Sequence, residues 1–234
     1  MINNKKVLAV IPARGGSKGI KLKNLRKIHN TPIVVLAGEI GLKTPEIDEV
    51  VVSTDNDLIA SVSKGNGIPV PFKRPENLSG DRIGDAPVLL HALYEMENIK
   101  RTTFDIVVML QPTSPLRKVE HVSSVIQALE KNNYDSVLTI SETDTKSHPL
   151  KQLIYQDGKI KFYDERGSKI VARQELSPVY HRNGIAYAIK KSALIKKETL
   201  ISSNTGAVLV NENCISIDTE FDLEFTEYLF NASF

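Results

Sequence analysis

Cations and glycines are concentrated in one segment of the chain, Arg14-Gly-Gly-Ser-Lys-Gly-Ile-Lys-Leu-Lys-Asn24. Its four cations fall within ten residues with no acid among them: Arg14, Lys18, Lys21 and Lys23. The glycines at positions 15, 16 and 19 permit positive φ angles and let backbone N–H groups approach an anion closely. Such a loop suits a polyphosphate better than a single carboxylate, and a solvated basic turn is the alternative interpretation.

The spacing of this segment excludes the two commonest phosphate-binding loops. No Gly-Lys-Ser/Thr follows Gly15 or Gly16, so the segment is not of the G-x-x-x-x-G-K-[ST] type. The run Gly15–Gly19 also lacks the G-x-G-x-x-G spacing, which argues against a NAD(P)-linked reductase. The scattered histidines show no metal-ligand spacing.

The overall composition is that of an ordinary globular chain. Of its 234 residues, 41% are hydrophobic and 25% charged, and the net charge of +2 argues against a strongly basic nucleic-acid-binding protein. The single cysteine, Cys214, excludes an internal disulfide and suits a reducing compartment. No apolar run approaches the roughly 20 residues that a membrane helix needs. We therefore expect a soluble, cytoplasmic protein with no membrane or nucleic-acid partner.

Four short apolar runs predict strands that are buried on both faces: Val7–Pro12, Glu49–Thr54, Asp105–Leu110 and Ser136–Ile140. Segments with helical periodicity alternate with them, at Ile33–Leu42, Leu58–Gly65, Ala86–Met96 and Val119–Lys131. This alternation predicts an α/β fold with a mostly parallel sheet and helices on both faces. Because the glycine-rich loop directly follows the first strand, it should lie at the carboxyl edge of the sheet, where ligands bind.

The pattern changes at about residue 146. In Leu153–Phe162, Asp157-Gly158 lies between alternating residues, which predicts a hairpin. Further strands are predicted at Gly184–Lys190, Ala207–Val210 and Ile215–Ile217, followed by a closing helix for which Asp218 can act as N-cap. We expect one domain over residues 1–234 with a β-rich insertion at about 146–183, which must pack on the main domain or on a second copy.

Eight segments resemble, in order, the motifs of the acylneuraminate cytidylyltransferases, the CMP-sialic acid synthetases and their relatives. They are IPARGGSKGIKLKN (11–24), STDND (53–57), RPENLSGD (74–81), LQPTSPLR (110–117), HPLK (148–151), RQ (173–174), RNG (182–184) and IDTEFDL (217–223). The segments extend over nearly the whole chain. The resemblance implies a Rossmann-like nucleotidyltransferase whose β-rich insertion is a dimerisation arm.

The resemblance also implies a reaction, the joining of CTP to a nonulosonic acid, in which the anomeric 2-hydroxyl attacks the α-phosphate in line and pyrophosphate leaves. Such a step needs positioning and charge neutralisation more than covalent catalysis. Matching positions imply a nucleotide-binding set of Arg14, Gly15, Gly16, Ser17, Lys18, Lys23, Asn24, Arg74 and Asp81. Lys23 and Asp218 are the implied catalytic residues, and Asp218 would hold Mg²⁺ (or Mn²⁺).

The family's sugar-binding positions match Gln111, Lys151, Arg173, Asn183 and Tyr187. In the family the arm adds residues to the neighbouring subunit's pocket, so the resemblance implies a homodimer in which Lys151 and Arg173 act on the partner's substrate. Whether His181 or Arg182 faces the sugar is left open. The favoured acceptor is N-acetylneuraminic acid, with legionaminic or pseudaminic acid as alternatives, and a Kdo synthetase fits the loop and arm motifs less well.

Several positions depart from the family pattern, among them Ile83, Asp85 and Ser216. Many members have Asp-x-Asp where this chain has Ser216-Ile217-Asp218, which favours one metal ion held mainly by Asp218 and phosphates. The missing carboxylate also leaves a different class open, a nucleotide-binding module without catalysis. Relatives often have a small residue or serine at the position of Asp85, which precedes a helix and is interpreted either as an N-cap or as a contact to the base.

Overall fold

Continuous apolar runs form the strands of one six-stranded sheet in the computed structural model, which describes residues 1–197, 199–212 and 214–232. The strands are β1 (Val7–Pro12), β2 (Lys27–Ile28), β3 (Thr31–Pro32), β4 (Glu49–Ser53), β5 (Ile106–Met109), β6 (Ser136–Glu142), β7 (Leu153–Gln156), β8 (Lys159–Phe162), β9 (Tyr180–Lys190) and β10 (Thr205–Leu209). The helices are α1 (Ile33–Lys43), α2 (Asp57–Gly65), α3 (Asp85–Lys100), α4 (Val119–Lys131), α5 (Lys191–Lys197) and α6 (Glu220–Ala232). The sheet order is β10-β6-β9-β5-β1-β4.

The sheet is mostly parallel and covered on both faces, which confirms the predicted α/β class. Strand β1 pairs in parallel with β4 and β5, and β10 with β6, whereas β9 is antiparallel to both its neighbours. Alternate residues of β1 point into two separate apolar clusters, Val7, Ala9 and Ile11 into one and Leu8 and Val10 into the other. Both sets are buried, and this is why the strands have continuous rather than alternating apolar sequences.

Helices cover each face by contributing one apolar side. Residues of α1, α2 and α4 complete the cluster that contains Val7, and residues of α3 and α5 complete the cluster that contains Leu8. A third, smaller cluster joins Ile20, Ile217 and Leu223, and therefore ties the glycine-rich loop to the start of α6. Within the described residues, no helix is long and apolar enough to cross a membrane.

Three parts of the sequence-based prediction are wrong in detail. Ile215–Ile217 is not a strand, because Ile217 donates its N–H to the Thr113 carbonyl of a loop (2.8 Å) and not to a neighbouring strand. Strand β9 begins at Tyr180, four residues before the predicted start at Gly184. Helix α5 was not predicted, since its seven residues are too few to show a helical period.

The predicted hairpin is confirmed as β7 and β8, a separate two-stranded sheet. Asp157 and Gly158 both have positive φ angles (51° and 76°), as a tight two-residue turn between twisted strands requires. Leu153 pairs with Phe162 and Tyr155 with Ile160, so these four side chains share one face. Each is between 38% and 74% exposed. A two-stranded hairpin is marginally stable alone, so this apolar face requires a partner.

Arg117 joins the loop after β5 to β9. Its guanidinium donates to the backbone carbonyls of Ile185, Gln111 (2.6 Å) and Gly184 (3.2 Å), and only 4% of the residue is exposed. Burial lowers its pKa to about 9, so the group is still cationic at neutral pH. Because no carboxylate pairs with it in these contacts, three carbonyl dipoles hold the charge in place.

Replacing Arg117 should therefore destabilise the fold. In Arg117→Ala, buried carbonyl groups lose their donors, and we expect the free energy of unfolding to fall by about 2 kcal/mol or more. Urea denaturation followed by circular dichroism measures this change. Arg101→Ala, at an exposed arginine after α3, is the control and should stay within about 0.5 kcal/mol of the unmodified chain. Equal stability of the two variants would contradict this role for Arg117.

Candidate functional site

The carboxyl ends of β1 and β5 open into one cleft of about 620 Å³. It collects most of the nucleotide-binding and catalytic positions predicted from the sequence, together with one sugar-binding position. These are Arg14, Ser17, Lys18, Lys23, Asn24, Arg74, Asp81, Gln111 and Asp218. Gly15 and Gly16 belong to the same loop but are not among the described residues that line the cleft. Residues from the first loop, the middle of the chain and its last quarter thus meet at the edge of the sheet.

Two of the three loop glycines, Gly15 and Gly19, are required for space, and none of the three has the positive φ angle that the glycine-rich sequence permits. A Cβ atom on Gly15 would lie 2.7 Å from Nδ2 of Asn56, and one on Gly19 would lie 2.6 Å from the Asp218 carbonyl oxygen. The left-handed residue of this loop is Leu22, with φ 49°. The N–H of Gly15 already donates to a carboxylate oxygen of Asp55 (2.9 Å). Gly19 is therefore the position that lets the loop approach the segment before α6.

Lys23 and Asp218, the two predicted catalytic residues, are in contact. The ammonium of Lys23 donates to Oδ1 of Asp218 (2.8 Å) and to the Ile217 carbonyl (2.9 Å). The Lys23 side chain is 18% exposed, whereas that of Asp218 is 74% exposed. The lysine thus holds a carboxylate that remains open to solvent at the edge of the cleft.

Asp218 does not cap α6, and the N-cap interpretation is wrong. The residue directly before the helix is Thr219, whose hydroxyl accepts the N–H of Asp222 (3.2 Å). In return, the Asp222 carboxylate accepts the N–H groups of Thr219 (2.7 Å) and Asp218 (3.0 Å). This reciprocal pair satisfies the free donors of the first turn. The Asp218 carboxylate is consequently available to the cleft.

Asp81 bridges two cations of the glycine-rich loop. Its Oδ1 lies 2.6 Å from Nη1 of Arg14, and its Oδ2 lies 2.6 Å from Nζ of Lys18. The hydrogen bond from Lys18, followed by that from Arg14, holds the pKa of Asp81 below its ordinary value. The carboxylate therefore fills the space between these two cations.

Two predicted nucleotide-binding residues have their polar groups engaged within the protein. Asn24 is buried and donates through Nδ2 to the Arg14 carbonyl (3.0 Å), which fixes the end of β1. Arg74 is buried and donates to both the hydroxyl (3.0 Å) and the carbonyl of Ser53. Burial lowers the pKa of Arg74 to about 10, against the opposing charge of Asp55. Both residues border the cleft while supporting its walls.

The predicted sugar-binding residues do not form one group within a single chain. Gln111 lines the cleft, while Lys151 and Arg173 lie on the arm, outside the described wall. Asn183 is buried in β9, where its amide oxygen accepts from Thr139 (2.6 Å) and its amide nitrogen donates to Ser141 (3.0 Å). Tyr187 is buried among apolar residues beside α3, and burial raises its pKa.

A second cavity of about 300 Å³ shares a wall with the cleft, and Asp85 lines both. The residue before α3 is Gly84, so Asp85 lies in the first turn and its N-cap interpretation is wrong. Arg182 lines the second cavity, whereas His181 contacts the Thr143 hydroxyl (3.0 Å). Arg182 is therefore the one of this pair that faces a cavity. The only indication of Asp85 in the sequence was its departure from the family pattern.

Neither the cleft nor the rest of the described residues contains a group of three or more His, Cys, Asp or Glu side chains that could hold a metal ion.

A mostly parallel sheet with a polar, cation-lined cleft at its carboxyl edge is the arrangement of nucleotide-binding α/β proteins. A solved CMP:2-keto-3-deoxy-manno-octonic acid synthetase in complex with CTP has the same fold, with a TM-score of 0.75, 18% identity and coverage of 98% of this chain and 100% of that one. The cytidylyltransferase family model matches residues 8–227. The chain belongs to the cytidylyltransferase family, which confirms the enzyme class and the family predicted from the motifs.

Curated relatives agree with this assignment. The CMP-N,N'-diacetyllegionaminic acid synthase of Legionella pneumophila is 31% identical over 226 residues, which cover 96% of each chain. The N-acylneuraminate cytidylyltransferase of Streptococcus agalactiae is 28% identical over 220 residues, 93% of this chain and 51% of that protein. The names of both relatives describe transfer of a cytidylyl group, but they name different sugar acids as the acceptor.

The Asp81 bridge predicts a competition that can be measured. In Asp81→Asn the two cations lose their internal counter-charge, and we expect inorganic tripolyphosphate to bind about two- to fivefold more tightly at low salt. The gain should shrink as ionic strength rises, because the contacts are exposed to solvent. Isothermal titration calorimetry at two salt concentrations measures both effects. Asp57→Asn removes an exposed carboxylate that pairs with Lys73 outside the cleft (2.6 Å) and is the control. Weaker binding by Asp81→Asn would contradict competition.

Proposed function

We propose that this enzyme joins CTP to a nonulosonic acid, giving a CMP-sugar and pyrophosphate. The observation that carries the proposal is the meeting of Arg14, Lys18, Lys23 and Asp218 in one cleft, where cations for a triphosphate lie beside an exposed carboxylate. The names of relatives that act on diacetyllegionaminic and N-acylneuraminic acids support the acceptor class. The oxygen of the anomeric 2-hydroxyl forms the new bond to the α-phosphorus, and its proton passes to solvent water. The bond between the α-phosphorus and the oxygen that bridges it to the β-phosphate breaks, and pyrophosphate leaves with that oxygen.

Within this reaction the loop cations bind and orient the triphosphate. Arg14 and Lys18 exchange their contacts to Asp81 for phosphate oxygens, and the charge that develops on departing pyrophosphate is neutralised by groups already in place. Lys23 is the cation nearest to Asp218, so it can bind a phosphate oxygen and keep the carboxylate oriented at the same time. No histidine or cysteine takes part as a nucleophile in this scheme.

The donor set suits Mg²⁺ (or Mn²⁺) bound by one protein carboxylate. Asp218 is exposed at the cleft edge with one oxygen paired to Lys23, and Ser216 lines the same wall. Mg²⁺ usually keeps several waters and binds through one or two carboxylates and substrate phosphates, which a site with a single acid can satisfy. When bound, the ion would offset phosphate charge next to the attacking hydroxyl. Asp218 would hold it, with Ser216 as a neighbouring hydroxyl.

The acceptor is proposed at two levels. The class is a nonulosonic acid, whose carboxylate suits an arginine or lysine and whose hydroxyls suit Gln111 at the cleft wall. Within that class N-acetylneuraminic acid is the substrate that the motifs favour, with legionaminic and pseudaminic acids as the alternatives. These sugars share the anomeric hydroxyl and carboxylate, so a few side chains remote from the reacting atoms decide among them.

A turnover panel tests the function. The enzyme is incubated with CTP, Mg²⁺ and, separately, N-acetylneuraminic, diacetyllegionaminic, pseudaminic and Kdo acids, and pyrophosphate release is followed. We expect release with at least one nonulosonic acid, lower release with Kdo, and a loss of about 100-fold or more in kcat for Asp218→Asn. Glu220→Gln, two residues further on in the ion pair with Arg26, is the control and should retain activity. CTP binding without turnover on any acid would contradict the proposal.

We also propose a homodimer in which the arm completes the neighbouring sugar site. The exposed face formed by Leu153, Tyr155, Ile160 and Phe162 is an apolar surface that needs cover. Lys151 and Arg173 flank this hairpin in sequence and lie outside the cleft of their own chain. A second copy is the partner that would cover the face and use both cations, since each subunit then completes the other.

Sharing of the site can be tested by complementation. Mixed dimers of Arg173→Ala and Asp218→Ala subunits contain one site with both mutations and one site with neither, if Arg173 acts across the interface. We expect the mixed dimers to recover up to about half the specific activity of the unmodified enzyme, while each parent stays nearly inactive. Differently tagged subunits purified in tandem and assayed for pyrophosphate release measure this. Verified mixed dimers with no recovered activity would contradict sharing, and sedimentation as a monomer would contradict the dimer itself.

A further inference from the structure

Asp85 lies in the wall between the nucleotide cleft and the second cavity. It is the first residue of α3, and its neighbours along the helix, Ala86 and Pro87, line the second cavity with it. The cleft side of the same wall contains Arg74 and Ile83. One acidic residue therefore lines both the space proposed for CTP and the space next to it.

The Asp85 carboxyl group is partly buried and has no hydrogen-bond donor or ion-pair partner among the residues that the structure describes. Burial raises its pKa, and the positive charges of Arg182 and Arg74 oppose that shift. Neither arginine comes within ion-pair distance, and Arg74 is held by Ser53. A partly buried carboxylate without a donor costs free energy, which a ligand donor would offset.

The remaining wall of the second cavity is mostly apolar, and the one other polar side chain among its described residues, Thr199, has its hydroxyl engaged with the backbone of Ile201. Leu200 and Ile201 lie there with Ala86 and Pro87, while Arg182 and Asp85 supply the two charges. An acylamino group has three parts, and each of them can contact one of these kinds of side chain. Its alkyl end suits the apolar side chains, its N–H suits a carboxylate, and its carbonyl oxygen suits a guanidinium.

We propose that Asp85 is a specificity-determining residue that accepts a hydrogen bond from the acylamino N–H of the acceptor sugar acid. This inference rests on the proposed function and adds to it the group by which one acceptor is chosen over another. An acceptor with a hydroxyl in place of the acylamino group fills less of the apolar wall and binds less well. The departure of Asp85 from the serine or small residue of relatives is then a difference in acceptor choice.

The competing occupant is the nucleotide base. The 4-amino group of cytosine is also an N–H donor, and Asp85 reaches the cleft as well as the second cavity. In that case Asp85 would select CTP over UTP and leave the acceptor preference unchanged. The two assignments therefore predict changes in different selectivity ratios.

The test measures kcat/KM for two acceptors at saturating CTP: the acylamino sugar acid that the panel shows to be used best, and its analogue with a hydroxyl in place of the acylamino group. For Asp85→Ala we expect the preference for the acylamino acid to fall by roughly 10- to 150-fold, as for loss of a hydrogen bond to a charged group. Asp85→Asn keeps an acceptor oxygen and should lose less. The KM for CTP and the CTP to UTP ratio should stay within about twofold.

Glu120→Gln is the matched control, because Glu120 is an exposed acid in the first turn of α4 and outside both cavities. It should leave both ratios unchanged. An unchanged acceptor preference in Asp85→Ala would overturn the inference while leaving the proposed function intact, and a changed CTP to UTP ratio alone would assign Asp85 to the base. If the unmodified enzyme released no pyrophosphate with any sugar acid, the proposed function itself would fail.

Discussion

The ammonium group of Lys23 is the contact on which the cleft depends. It binds the Ile217 carbonyl and the Asp218 carboxylate, groups 194 and 195 residues further along the chain. This contact fixes the distance between the first loop and the segment before α6. The absence of a side chain at Gly19 follows from it, because a Cβ atom there would meet the Asp218 carbonyl. The Thr219–Asp222 pair completes the arrangement by capping α6, so the Asp218 carboxylate has no capping role and keeps its contact with Lys23.

The sequence predicted the sheet well, because strands buried on both faces are continuously apolar and such short runs, bounded by turn residues, favour a strand over a helix. It also predicted that the first loop and Asp218 belong to one site, because the loop follows the first strand and both segments match motifs of one family. The sequence could not predict that Ile215–Ile217 is irregular. This short apolar segment looks the same whether its backbone hydrogen bonds go to a neighbouring strand or to the loop at Thr113. The N-cap of α6 was predicted one residue too early, at Asp218 instead of Thr219. Both residue types are good N-caps, so the sequence does not distinguish them.

Burial separates the basic residues into two kinds that composition cannot distinguish. Arg74 and Arg117 are almost fully buried and hold backbone or hydroxyl oxygens, so their charges support the walls. Arg14 and Lys18 are more exposed, and among the residues that the structure describes their side chains are held by Asp81 alone, so both can pair with an anionic ligand instead. A net charge of +2 therefore coexists with a site that is locally strongly cationic. What matters for an anionic ligand is which cations already have partners within the protein.

Strand β9 connects the β-rich insertion to the central sheet, so the insertion cannot be removed as a unit. It starts within the β-rich insertion at Tyr180 and then runs between β6 and β5, in the middle of the sheet. Cutting the chain after Tyr180 and removing the rest of the strand would divide the sheet into a pair, β10 and β6, and a trio, β5, β1 and β4. The arm is therefore not a detachable module. Its hairpin is a separate two-stranded sheet, but its last strand is a central strand of the six-stranded sheet.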